Sequence, residues 1–225
     1  MENIYQILIL LVCYSLLNFL FLWIWKMKSH TLISLKVQNG DWVLLHIRHA
    51  GGIIIMLALP LLLLKNIPKK MVNWPKDVND IQVIALMIAG LVLLIISAKA
   101  SEKIKDCNPV VNKRTRLNAA MHMIFRTAFL VSYEWFFRGC ILMICVSIFG
   151  IIPAIIINIG LYALIHSMNG KREFLGSVPF GLMLCVFTLW WQTVWPAVLL
   201  HLLLSSSYES VILHPFFGKP SKISI

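Results

Sequence analysis

Four ionisable residues recur at intervals of four or eight in one apolar stretch: His122, Arg126, Glu134 and Arg138. On a helix that spacing draws a slowly drifting stripe down one face. At its centre, residues 131–140 read VSYEWFFRGC, so Glu134 and Arg138 can pair directly, which lowers the cost of burying either. Later come His166 in YALIHSMNGKRE, Glu173 at the end of that string, and His201 in WPAVLLHLLLSSS. His201 is flanked by five Leu and one Val, where a neutral imidazole still needs a partner. Ser205, one helical turn on, can supply a hydroxyl.

A carboxylate, two imidazoles and a hydroxyl from three segments are the parts hydrolysis needs. One group takes a proton from water, and a donor set stabilises the oxyanion of a peptide carbonyl. Glu134, His166 and His201 equally make a two-His, one-carboxylate set for a divalent metal such as zinc. No HExxH string is present, and spacing alone does not choose between the two. Each residue also has a plainer reading. The Glu134–Arg138 pair can lock a bundle, His166 can sit at an interface, and His201 can be a polar packing group.

The elements that carry these residues are set by lipid. Of 225 residues, 60% are hydrophobic and 13% charged, with a mean hydropathy of +0.84. A soluble domain of this size cannot hide so much apolar surface. Apolar runs cover 5–25, 45–64, 81–98, 119–149, 153–167, 174–191 and 194–213. Several are long enough to cross the hydrocarbon core. The expectation is an all-α, polytopic transmembrane helical bundle of about seven spans, the short fifth being the candidate for irregularity. The first three spans read as ordinary hydrophobic helices with polar residues mainly at their ends, so any chemistry belongs to the second half.

With the N-terminus outside, the segments 26–48, 99–120, 168–173 and the tail after 213 hold 14 of the 20 Lys and Arg. The outside loop 65–80 holds 4, and Arg126 and Arg138 lie within the fourth span. That asymmetry predicts an N-out, C-in topology; the expected location is the plasma membrane of a bacterium. It accounts for the net charge of +11 without a nucleic-acid partner, because the basic residues sit between spans. The run Lys113-Arg114-Thr115-Arg116 reads as an inside anchor that can touch anionic lipid. MENIYQ has no basic n-region, and the first run reads as a retained span. Cys13, Cys107, Cys140, Cys145 and Cys185 form no CxxC pair and read as packing residues. Trp190, Trp191 and Trp195 read as an outer interfacial belt.

The order of motifs resembles the CAAX-protease and bacteriocin-processing (CPBP, or Abi) family of intramembrane endopeptidases, whose motifs are EExxxR, FxxxH and HxxxN. Here they stand as Tyr133-Glu134-x-x-x-Arg138, Tyr162-x-x-x-His166 and His201-x-x-x-Ser205. The likeness runs from about 120 to 215, through FFRG (136–139), 169–184 and WPAVLLH (195–201), while spans one to three resemble nothing in particular. It divides the single membrane domain into 1–118, three variable helices; 119–215, a catalytic-type core; and 216–225, a short cytoplasmic tail.

The resemblance implies cleavage of peptide bonds at or in the bilayer. One branch trims prenylated C-termini, and bacterial members are associated with peptide processing or bacteriocin self-immunity. The family was read first as metal-dependent and later as glutamate-dependent. In the later view the first motif Glu and the motif-two His activate water, and the motif-three His and Asn bind the oxyanion. This sequence departs at Tyr133, Tyr162 and Ser205. Tyr133 replaces the Glu assigned to water, and a Tyr is a poor base at neutral pH. Glu134 can take over, although one position turns a helical side chain by about 100°. Glu173 can swing in, or the fold can persist without the protease.

The leading expectation is an endopeptidase acting on a membrane-associated peptide or protein. In it Glu134 and His166 activate water, Arg138 keeps Glu134 ionised, and His201 and Ser205 polarise the carbonyl. Any metal would rest on Glu134, His166 and His201; no cofactor is certain, and oligomeric state is open. The alternative is an inactive member acting by binding, such as a bacteriocin self-immunity factor. A proton-coupled transporter is disfavoured by the absence of an inverted repeat.

Overall fold

The computed structural model describes residues 2–27, 42–64, 71, 73–75, 77–102 and 113–217. The basic residues of 28–41, 65–70 and 103–112, Cys107 and the end of the tail (218–225) lie outside them, as do the side chains of Lys113, Arg114 and Thr115. Seven helices are long and apolar enough to cross a membrane, and no strand occurs among the described residues. They are α1 (Glu2–Lys26), α2 (Trp42–Leu63), α3 (Asp80–Ser101), α4, α5 (Ile151–His166), α6 (Lys171–Trp191) and α7 (Trp195–Phe217). The fourth, α4, runs through Lys113–Glu134, a π-helical stretch Trp135–Leu142 and a last α-helical piece Met143–Phe149. Helices satisfy every backbone polar group internally, which lipid demands.

Local sequence explains the ends. Asn79 and Gln82 form a reciprocal capping box at the start of α3, with hydrogen bonds of 2.8 and 3.1 Å. Gly150, at φ +84°, makes the turn from α4 to α5, a conformation that a side chain would strain. The fifth helix is a regular α-helix closed by one 3-10 turn, Ser167–Asn169. The irregularity expected there lies instead in α2 (Ile54–Ala58) and α4 (Trp135–Leu142), both π-helical.

The fourth helix is the centre of the bundle. In its span window 83% of residues are buried, against 22–44% for the other six, which turn much of their surface to lipid. Around α4 pack α1, α2, α5, α6 and α7, and α3 lies outside on α7. Close approach of α2 depends on Gly52, where a Cβ would stand 2.5 Å from the Phe129 ring. At the end where α6 finishes and α7 starts, Trp74 meets Trp195 at 5.8 Å, and Gln82 Nε2 donates to the Trp190 carbonyl at 3.2 Å. Cys13, Cys140, Cys145 and Cys185 are free and buried.

Candidate active site

At the middle of α4 the chain changes helical form immediately after Glu134. Short π-helical stretches frequently mark functional sites because they re-aim side chains within a helix. This one is braced from α5: Asn158, wholly buried, donates from Nδ2 to the Phe137 carbonyl at 2.6 Å and accepts from Cys185 of α6 at 3.2 Å.

Glu134 is itself wholly buried, and both carboxylate oxygens have partners by distance. Oε1 meets Nδ1 of His201 from α7 at 2.5 Å. Oε2 lies 3.2 Å from Nη1 of Arg138, one turn on. The Arg138 contact is an ion pair without hydrogen-bond alignment, so among the described residues the guanidinium nitrogens have no aligned partner. The cation rests instead on an aromatic face, with Cζ 4.3 Å from the Tyr162 ring centre. Gly181 of α6 leaves room for it: a Cβ there would stand 3.6 Å from Arg138 Nη2. A buried ion pair is tolerated only where such additional partners surround it.

His166 closes α5, where its Nδ1 donates to the Tyr162 carbonyl at 2.9 Å. That bond puts the proton on Nδ1 and leaves Nε2 with a lone pair. Tyr133 joins the two imidazoles. Its ring stands edge-on to His166 (6.4 Å, 89°) and to His201 (5.8 Å, 85°), and stacks on Phe137 at 4.6 Å. Tyr162 stands 4.4 Å from His166 and 6.4 Å from His201. Tyr133, Glu134, Arg138, Tyr162, His166 and His201 therefore share one neighbourhood built by α4, α5 and α7.

Two expected members stand elsewhere. Ser205 does not serve His201. Its Oγ accepts from Arg126 Nε and Nη2 at 3.2 and 3.0 Å and donates to Glu209 Oε1 at 3.1 Å. Charged partners outcompete a neutral imidazole for a hydroxyl. Glu173 is exposed in the first turn of α6 and makes no ion pair with the groups around Glu134. The pairing also differs from expectation, since Glu134 is bonded to His201 rather than to His166.

The zinc set does not assemble either. Among the described residues no group of three or more His, Cys, Asp or Glu side chains converges to hold a metal. The Glu134 oxygens face His201 and Arg138, and the latter opposes a cation.

Below this site, between α4 and α7, lies a second polar cluster that the sequence reading missed. Glu209 pairs with Arg126 Nε at 2.8 Å and with His122 Nε2 at 3.0 Å. The signal was present, because Glu209 continues the four-residue stripe of His201 and Ser205. Also missed was α2. Its His49, 2% exposed, lies 5.1 Å from both the His122 and Phe129 rings, so this span is not an ordinary hydrophobic helix.

Residues 117–207 match the family model described as type II CAAX prenyl endopeptidase Rce1-like. No curated protein and no solved structure matches the chain.

Proposed function

We propose that this chain, whose residues 117–207 belong to the CAAX-protease family, is an intramembrane endopeptidase that hydrolyses a peptide bond of a membrane-held peptide or protein. The supporting observation is the 2.5 Å contact between the Glu134 carboxylate and His201, inside a bundle core where Tyr133 and Tyr162 also touch the His166 ring. A merely structural pair would not need His166 and Tyr133 gathered at the same point. The family description, a prenyl endopeptidase, makes a prenylated C-terminal peptide the first substrate to try.

The geometry reassigns roles within the expected mechanism. The Glu134 carboxylate is bonded to His201 through one oxygen and faces the Arg138 guanidinium with the other. It is well placed to orient and charge-stabilise an imidazole, as the acidic member of a catalytic triad does. His201 gives Nδ1 to Glu134, so Nε2 takes the proton from water as the water oxygen bonds to the carbonyl carbon. The imidazolium returns that proton to the leaving amine as the C–N bond breaks, yielding an amine and a carboxylic acid that then loses its proton to solvent. His166, with its free lone pair on Nε2, accepts the other O–H of the water and aims it. Arg138, 3.2 Å from Oε2, gives the Glu134 carboxylate a buried counter-charge. No step passes through a metal.

Purified protein in detergent should cleave a farnesylated C-terminal peptide. Glu134→Gln and His201→Ala should each reduce turnover by at least about 10³-fold, as loss of a triad member does. Both variants should elute as folded protein. Full turnover in either one rules out this mechanism. Turnover should also persist in a strong chelator; its loss there, restored by zinc, would return the metal reading.

A further inference from the structure

Tyr133 occupies the position where the motif of the resembling family has a carboxylate, yet its environment is not that of an inert aromatic. It is 3% exposed, and its hydroxyl has no hydrogen-bond partner among the described residues. Burying a hydroxyl unpaired carries a desolvation cost that a Phe would avoid. The ring is held on all sides, by Phe129, Phe137, Tyr162 and both imidazoles. Its placement is therefore tight, and among the described residues nothing occupies the hydroxyl, which can bond a bound substrate. At the same time the site is one donor short. Ser205, which stands where the motif has its oxyanion-binding Asn, is consumed by Arg126 and Glu209.

We infer that Tyr133 is a further catalytic residue, whose O–H donates a hydrogen bond to the carbonyl oxygen of the scissile peptide bond. The inference rests on the hydrolytic reading above. As the water oxygen bonds to carbon, the carbonyl π pair moves onto oxygen, and the phenol stabilises that oxyanion without giving up its proton. The water proton goes to His201. When the C–N bond breaks, the oxygen returns to a carbonyl and the phenol is unchanged. A phenol is a donor at neutral pH and a poor base, so Tyr133 supplies what Ser205 does not. It does not replace the missing carboxylate.

The test compares wild-type protein with Tyr133→Phe and Tyr133→Glu on the farnesylated peptide, reading kcat, KM and the thermal unfolding midpoint. Removing one oxyanion donor costs about 10²–10³-fold in kcat. Tyr133→Phe should show that loss with KM within about twofold and an unfolding midpoint no lower than wild type, because only an unpaired hydroxyl is removed. Tyr133→Glu should not restore the rate. Wild-type turnover together with an unimpaired Tyr133→Phe overturns this assignment and leaves the hydrolytic reading standing. So does a loss confined to KM or accompanied by a lower midpoint. A wild-type protein that cleaves nothing overturns both.

Discussion

At the scale of single residues, the account turns on where a one-position offset leaves two neighbours. A helix turns about 100° per residue, so Tyr133 and Glu134 cannot do the same job. The structure uses the offset: Tyr133 stands between the two imidazoles, and Glu134 turns to His201 and Arg138. Sequence alone named this carboxylate and both histidines, because an ionisable residue inside an apolar span is conspicuous. It could not tell which histidine would meet Glu134, since that depends on how far α5 and α7 reach along α4. Arg138 offers a sharp check at this scale. Its guanidinium and Glu134 are both fully buried, so Arg138→Ala strands a carboxylate and should destabilise the protein by about 3–5 kcal/mol. Thermal unfolding in detergent reads the loss, and a midpoint equal to wild type would contradict the pairing. Lys should not substitute, because an ammonium lacks the planar face that lies over Tyr162.

At the scale of elements, α4 and α7 are joined twice, by Glu134 with His201 and by Arg126 and His122 with Glu209. The second clasp is partly exposed, with side-chain exposures of 26% for Arg126 and 14% for Glu209, so solvent weakens it. Glu209→Ala should therefore cost about 1–3 kcal/mol, less than loss of a fully buried partner. A denaturation series in detergent measures this. The π-helical stretch of α4 was illegible in the sequence, because widening a turn by one residue leaves composition and hydrophobicity unchanged. Asn158 was legible only in retrospect, as a lone amide in an apolar run. Its bond to the Phe137 carbonyl makes Asn158→Leu a test of the brace: lower stability by about 1–3 kcal/mol and lower turnover together, because the carbonyl loses its donor. The involvement of α2 was hidden for a different reason. The two adjacent glycines of α2 serve different neighbours, Gly51 facing Leu20 of α1 and Gly52 the Phe129 ring of α4.

At the scale of the whole molecule, the seven spans were legible to within a few residues at each end. The bilayer imposes its demand on every position of a span, so length and apolar composition suffice. The central place of α4 agrees with its ionisable residues, which lipid would not tolerate on an outward face. Orientation rests on the charge asymmetry of loops that lie largely outside the described residues. With 14 basic residues on one side and 4 on the other, a reporter fused after Ile225 should be active in the cytoplasm. Activity of a reporter at the N-terminus on that same side would reverse the topology.

The central claim is that water, activated by the Glu134–His201 pair, adds to a peptide carbonyl within the bilayer. Its most direct test is mass spectrometry of the products after the purified protein meets a farnesylated C-terminal peptide in ¹⁸O-water. The account predicts one ¹⁸O in the newly formed carboxyl group with wild-type protein, and none with Glu134→Gln or His201→Ala. Label appearing at equal rates in all three proteins would contradict it, as would an intact peptide with the wild type.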